Sequence, residues 1–201
     1  VSPWLLLLGA YLVGSVPTGL WLVRWRLGVD VRERGSGNIG TANVYRVAGA
    51  RLGAAVLFLD VAKGALPVWA ARTLGLEPVW AVAAGVASIV GHNWSAFLGF
   101  RGGKGIATSF GVLLALSPRA AGVAAAVWGA AVAATRYASV GSVLAMLSVP
   151  LSMLLWKEPP PHVAFGVAAA VMGLVRHRSN LRRLREGTEL RITDRPKEGR
   201  E

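Results

Sequence analysis

Ile106-Ala107-Thr108-Ser109-Phe110-Gly111-Val112-Leu113-Leu114-Ala115-Leu116 is the stretch on which the fold of this chain turns. It is apolar enough for hydrocarbon but too short to cross it alone. A helix rises about 1.5 Å per residue, and a span needs about 20 residues to cover roughly 30 Å. Ser117-Pro118 follows as a helix-breaking turn, so the stretch reads as a short helix of its own. Counted, it makes seven helices. Omitted, it leaves six and a re-entrant element.

The neighbouring runs are longer. Trp4–Val23, with a kink expected at Pro17, Leu52–Ala71, Val79–Leu98, Ala120–Thr135, Ala138–Trp156 and the shorter His162–Val175 all read as spans. Nothing around Trp4–Val23 reads as a cleavable signal: no basic stretch precedes it, and further spans follow. The composition agrees: 54% of the 201 residues are hydrophobic and 16% charged, against about 25% charged in soluble domains. Mean hydropathy is +0.50. No linker divides the chain, so residues 1–201 read as a single domain. The absence of cysteine excludes a disulfide framework, a thiolate metal site and a thiol nucleophile.

Charge settles the helix count. With seven spans and an external N-terminus, Arg24, Arg26, Arg32, Arg34, Arg46, Arg51, Arg101, Lys104 and Arg136 fall in inner loops. The inner tail adds Arg176, Arg178, Arg182, Arg183, Arg185, Arg191, Arg195, Lys197 and Arg200. Only Arg72, Arg119 and Lys157 fall outside, and basic residues flank spans on the cytoplasmic side. The same rule explains the net charge of +12 without nucleic acid, because no soluble basic face remains. The expectation is an all-α, polytopic integral membrane protein. It has seven transmembrane helices with the fourth short, its N-terminus outside and its C-terminus cytoplasmic.

That topology puts three unusual segments on one face: Arg34–Arg46, Phe100–Gly105 and Arg176–Leu184. Gly35 to Gly40 matches G-x-G-x-x-G, but a dinucleotide site needs a βαβ unit around it, and here membrane helices lie on both sides. The physics still applies: successive glycines let backbone N–H groups converge on an anion, and the next helix offers its N-terminus. Gly102-Gly103-Lys104 sets a lysine on a glycine hinge, whereas a P-loop would need Gly and a hydroxyl where Leu98 and Gly105 stand. His177 and Asn180, three apart, share a helix face, and arginines beside His177 oppose its protonation. For Arg182, Arg183 and Arg185 an orientation signal suffices. His92 reads as a packing or capping group at the end of the third span.

Asp60 and Lys63 are costly inside a span. Their spacing allows either a structural ion pair or a lysine held near an anion's charge. Ser139 and Ser142 lie near the inner face. No two carboxylates meet in the three segments, no His is followed four residues later by Asp, and no G-x-S-x-G elbow exists. The segments supply donors and cations, which suits one or two phosphates and a substrate that is already activated.

The stretches Gly35–Arg46, Phe100–Thr108 and Arg176–Glu189, in that order, resemble the PlsY family, bacterial acyl-phosphate:glycerol-3-phosphate acyltransferases. Asp60-Val61-Ala62-Lys63-Gly64 and the seven-helix plan share the resemblance. Thr41-Ala42, Trp94-Ser95 and Arg101 depart from it mildly. The resemblance implies acyl transfer from acyl phosphate to glycerol 3-phosphate, giving lysophosphatidic acid and phosphate, the first acylation of phospholipid synthesis. It implies no cofactor, no metal and no obligate protein partner. It also implies a bacterial inner membrane location with the active site on the cytoplasmic face. The implied catalytic set is Ser36, Asn38, Lys104, His177 and Asn180. Gly35, Gly37, Gly40, Asn43, Arg46, Lys63, Gly102, Gly103 and Ser142 form the implied phosphate-binding set. A phosphate or organophosphate transporter is the rival reading, although transporters usually carry internal repeats and a midplane site.

Overall fold

The computed structural model describes residues 2–194. Arg195, Lys197 and Arg200 of the basic tail lie outside the described residues. Among the described residues the chain is all-helical. The elements are α1 (Pro3–Ser15), α2 (Thr18–Leu27), α3 (Thr41–Thr73), α4 (Pro78–Asn93), α5 (Ile106–Leu116), α6 (Pro118–Thr135), α7 (Ala138–Leu155), α8 (Pro160–Arg176) and α9 (Arg178–Arg185). Among the described residues, four helical stretches are long and apolar enough to cross a membrane: Pro3–Leu27, Thr41–Thr73, Pro78–Leu98 and Ala138–Leu155. Phe58 and Leu155 remain 72% and 82% exposed on the flanks, an apolar lateral surface suited to lipid.

The first hydrophobic run breaks into α1 and α2 at Val16-Pro17, since proline cannot donate to the helical ladder. The break frees buried carbonyls, which need donors. Lys63 Nζ donates to Val16 O at 2.9 Å, and Ser95 Oγ donates to Ser15 O at 2.5 Å. Asp60 Oδ1 accepts from Thr18 Oγ1 at 2.5 Å and pairs with Lys63 Nζ at 2.8 Å. The intramembrane ion pair therefore braces the helix break.

Sequence placed the second span at Leu52–Ala71, whereas α3 begins at Thr41, at the end of the glycine-rich segment. Gly49, at φ 81°, takes the chain through a kink that an L side chain would resist. The kink brings Tyr45 back against Gly53, so residues 41–48 do not prolong the helix axis. Beyond it, residues 50–73 run for about 36 Å, enough for one span.

The short α5 has the bounds read from sequence. It packs flush on α3 because Gly64 faces the backbone of Thr108, and Gly111 that of Val61. A Cβ at either glycine would collide with the opposing carbonyl. At its end, Arg72 donates to the carbonyls of Ala115 and Leu116, and Ser117 Oγ accepts from Ala120 N–H to start α6.

Candidate active site

The loops 28–40 and 94–105, the α6–α7 junction and the segment after α8 meet at one end of the bundle. Between them a cavity of about 630 Å³ opens. Its mouth is polar, lined by Ser36, Asn38, Arg46, Lys104, His177, Asn180, Arg183 and Glu189. Its depth is mainly apolar, lined by Leu57, Phe110, Leu113, Trp128, Met146, Val149 and Phe165, with the buried Asp60 and His92 also on its wall. The N-terminus of α5 also faces it through Gly105, Ile106 and Ala107.

Asn43, 1% exposed, shapes the first loop. Its Nδ2 donates to the carbonyls of Val31 (3.0 Å), Arg34 (3.1 Å) and Asn38 (2.9 Å), and its Oδ1 accepts from Ser36 N–H (2.8 Å). Gly35 and Gly37 are left-handed, and a Cβ on Gly35 would strike Asn43 Oδ1. Gly40 N–H donates to Asn38 Oδ1 at 2.8 Å, and Gly37 N–H to Arg34 O at 3.1 Å. The glycine amides expected to converge on an anion thus fold the loop on itself here. The side chains of Ser36 and Asn38 reach the cavity.

The second loop is clamped from two sides. Gly103 N–H donates to His92 O at 3.0 Å. Arg176 donates to Gly102 O (3.1 Å) and Gly103 O (3.2 Å). A side chain on Gly103 would run into the His92 ring, and one on Gly102 into the His92 carbonyl. These two glycines hold the hinge against α4 and do not line the cavity. The hinge delivers Lys104, whose Nζ donates to Asn180 Oδ1 at 2.5 Å.

His177, 2% exposed, donates from Nδ1 to Gly173 O at 2.8 Å, which leaves Nε2 as an acceptor. Burial, then the neighbouring Lys104 ammonium, pushes its pKa down to about 4. Burial, then the surrounding Arg183, Arg46 and Arg176, pushes Lys104 down to about 8, while Glu189 opposes the shift. Asn180 Nδ2 donates to Glu189 Oε1 at 2.6 Å, and Arg183 Nε to Glu189 Oε2 at 2.7 Å. Arg46 donates to the carbonyls of Leu190 (3.1 Å) and Arg191 (2.8 Å), tying the C-terminal segment across the mouth.

The structure therefore gathers Ser36, Asn38, Gly40, Asn43, Arg46, Lys104, Ser142, His177 and Asn180 around one cavity. Gly35 and Gly37 shape its rim, and Gly102 and Gly103 brace its hinge. Lys63 does not reach it, being turned to Asp60 and Val16. Ser142 Oγ donates to Ala138 O at 2.7 Å, while the buried Ser139 Oγ, also on the wall, has no partner among the described residues. Sequence reading gave Arg183 only the role of an orientation signal and passed over Glu189. Arg183 follows Asn180 by the same step of three that links Asn180 to His177, so helical spacing points to it. Glu189 lies past the end of α9, where periodicity says nothing. With cations, neutral amides and a neutral imidazole, the mouth can hold phosphate and orient a hydroxyl.

The comparisons with known proteins point to one family. The family model described as glycerol-3-phosphate acyltransferase matches residues 4–187. The glycerol-3-phosphate acyltransferase of Geobacter sulfurreducens is 49% identical over 183 residues, covering 91% of this chain and 94% of that one. That of Desulforudis audaxviator is 47% identical over 184 residues, 92% of each. The crystal structure of PlsY, an integral membrane glycerol 3-phosphate acyltransferase, in its glycerol 3-phosphate form superposes with a TM-score of 0.90 at 36% identity, over 95% of this chain and 96% of that one. Its lysophosphatidic acid form gives 0.87 at 35%, over 95% of each. The chain belongs to the glycerol-3-phosphate acyltransferase family.

Proposed function

We propose that this multi-pass membrane protein transfers a fatty acyl group from acyl phosphate to glycerol 3-phosphate, releasing lysophosphatidic acid and phosphate. The carrying observation is that one cavity is cationic at its mouth and mainly apolar in its depth. An amphiphile with a phosphate head and an acyl tail fits that division, and the mouth has cations enough for a second phosphate. Family membership displaces the transporter reading.

In the reaction, a glycerol hydroxyl oxygen attacks the acyl carbonyl carbon and the carbon–oxygen bond to phosphate breaks. Lys104 and Arg46 neutralise the two phosphates that must approach each other. Ser36 and Asn38 donate to the phosphate and the developing oxyanion. His177 Nε2 accepts from the attacking hydroxyl and orients it, with Asn180 beside it. An imidazole of pKa about 4 is a weak base, and both Glu189 oxygens are engaged. The hydroxyl proton therefore passes to the leaving phosphate, which makes the step substrate-assisted.

The chain crosses the bacterial inner membrane seven times as one domain. α1 and α2 together form the first span, α5 the short fourth, and α9 lies on the cytoplasmic side with the mouth. Purified protein given palmitoyl phosphate and glycerol 3-phosphate, with chelator present, is expected to yield lysophosphatidic acid and phosphate. No product, or product from acyl-CoA alone, sinks the proposal.

A further inference from the structure

Glu189 is a carboxylate in the middle of an anion-binding mouth, where it should compete with substrate unless it has another task. It is 9% exposed. Its Oε1 accepts from Asn180 and its Oε2 from Arg183. We propose that Glu189 is a positioning residue for acyl transfer: it fixes the Asn180 amide with its oxygen toward Lys104 and supplies a counter-charge among the cations around that lysine. The inference rests on the reading of Lys104 and Asn180 as substrate-holding groups.

An amide side chain can be seated two ways round. With Nδ2 toward Lys104, two donors would face each other. A carboxylate accepts and cannot donate when ionised, so Glu189 at 2.6 Å from Nδ2 selects the productive sense. Of the titratable groups that face Lys104, Arg46 comes from α3, Arg176 from the end of α8, His177 from the α8–α9 junction, Arg183 from α9 and Glu189 from the segment beyond it. Among the described residues, Glu189 alone of these is anionic. It opposes the loss of the Lys104 proton, and Arg183 promotes it.

A purely mechanical role as a clip for the C-terminal segment is unnecessary. That segment is already held by Arg46 on Leu190 O and Arg191 O, and by Ile192 N–H on Arg136 O at 2.8 Å. Removing one charge leaves those three anchors in place.

The test is the pH–rate profile of lysophosphatidic acid formation from palmitoyl phosphate and glycerol 3-phosphate. It compares the full-length protein with its Glu189→Gln and Arg183→Met variants, corrected for spontaneous hydrolysis. The wild-type rate should fall as pH rises through about 8, as Lys104 loses its proton. In Glu189→Gln that limb should move down by about 0.5–1 pH unit, the effect of losing a nearby opposite charge. In Arg183→Met it should move up. A scaffold would scale the rate equally at every pH. Limbs that stay in place in both variants, or a wild type with no alkaline limb, overturn the inference. If Glu189→Gln fails to fold, Arg183→Met decides alone: an upward shift supports the proposal and no shift overturns it. Lys104→Ala separates the two levels. If it retains full rate, the underlying reading of the site fails and the inference falls with it; if it is inactive while the limbs stay fixed, only the role of Glu189 is lost.

Discussion

Each end of the helical bundle holds a carboxylate set among polar partners, yet the two ends use the same chemistry differently. At the mouth, Glu189 sits among Asn180, Arg183, Lys104 and Arg46, and cations outnumber the acid. At the far end, Glu158 accepts from Ser117 Oγ at 2.7 Å and lies 3.2 Å from His162 Nδ1. There the groups close on one another. Ser117 also caps α6, Arg72 saturates the last carbonyls of α5, and none of these residues lines the cavity. A polar cluster marks a site when donors and charge remain after the helix ends have been satisfied.

The Asp60–Lys63 pair, midway between the ends, gives the largest expected effect and puts the rule under most strain. Asp60→Ala would leave a buried ammonium facing little but Val16 O, at a cost of about 3–5 kcal/mol. Thermal unfolding in detergent should show the variant severely destabilised. The double variant Asp60→Asn/Lys63→Met should regain most of that stability, since replacing a buried pair whole is often neutral. It should also regain activity. A double variant that is stable but inactive would return Lys63 to the substrate-binding set and break the distinction between bracing and binding.

Lys104→Ala comes next and sharpens the contrast. Losing one preorganised charge at a phosphate should lower kcat by about 10²–10³-fold. Stability should hold or rise, because a cation buried among three arginines is removed. The measurement is turnover beside the unfolding temperature. Loss of both together would mean that the mouth is built for stability, like the far end.

How much of this was legible in the sequence follows from the reach of each signal. Hydrophobic run length and Ser117-Pro118 mark α5 and its neighbours, because membrane thickness and proline chemistry act locally. The three glycine-rich, basic segments announce the mouth, because turns and phosphates draw on few residue types. The start of α3 at Thr41 was hidden, since the eight residues before the Gly49 kink are too few for a span and mix Asn43 and Arg46 among apolar residues. The task of Asn43 was hidden as well, because it partners with backbone carbonyls, which every residue has. For Lys63 the spacing offered the pair with Asp60 as one of two readings, but not the Val16 carbonyl it also holds. The Asn180–Glu189 contact depends on how the chain turns after α9, which spacing along a helix does not reach.

The smallest expected effect lies at the far end. Ser117→Ala removes the cap on Ala120 N–H and the bond to Glu158, at about 1 kcal/mol. For a chain of this size that corresponds to roughly 2–4 °C in unfolding temperature, with kcat per folded molecule unchanged. The pH dependence identifies the cause. The Ser117 hydrogen bond, supported by His162 and opposed by burial, holds the Glu158 carboxyl below its ordinary pKa of 4.5. A carboxyl whose folded value lies below its unfolded value adds stability above the unfolded pKa and loses it as pH falls through the folded one. The gap between wild type and Ser117→Ala should therefore be constant from about pH 6 to 8 and narrow below about 4.5. A gap that persists at acid pH would assign the effect to the helix cap alone. A variant with normal stability but reduced turnover would show that the far end reaches the mouth through α5, and the two ends could no longer be treated as independent.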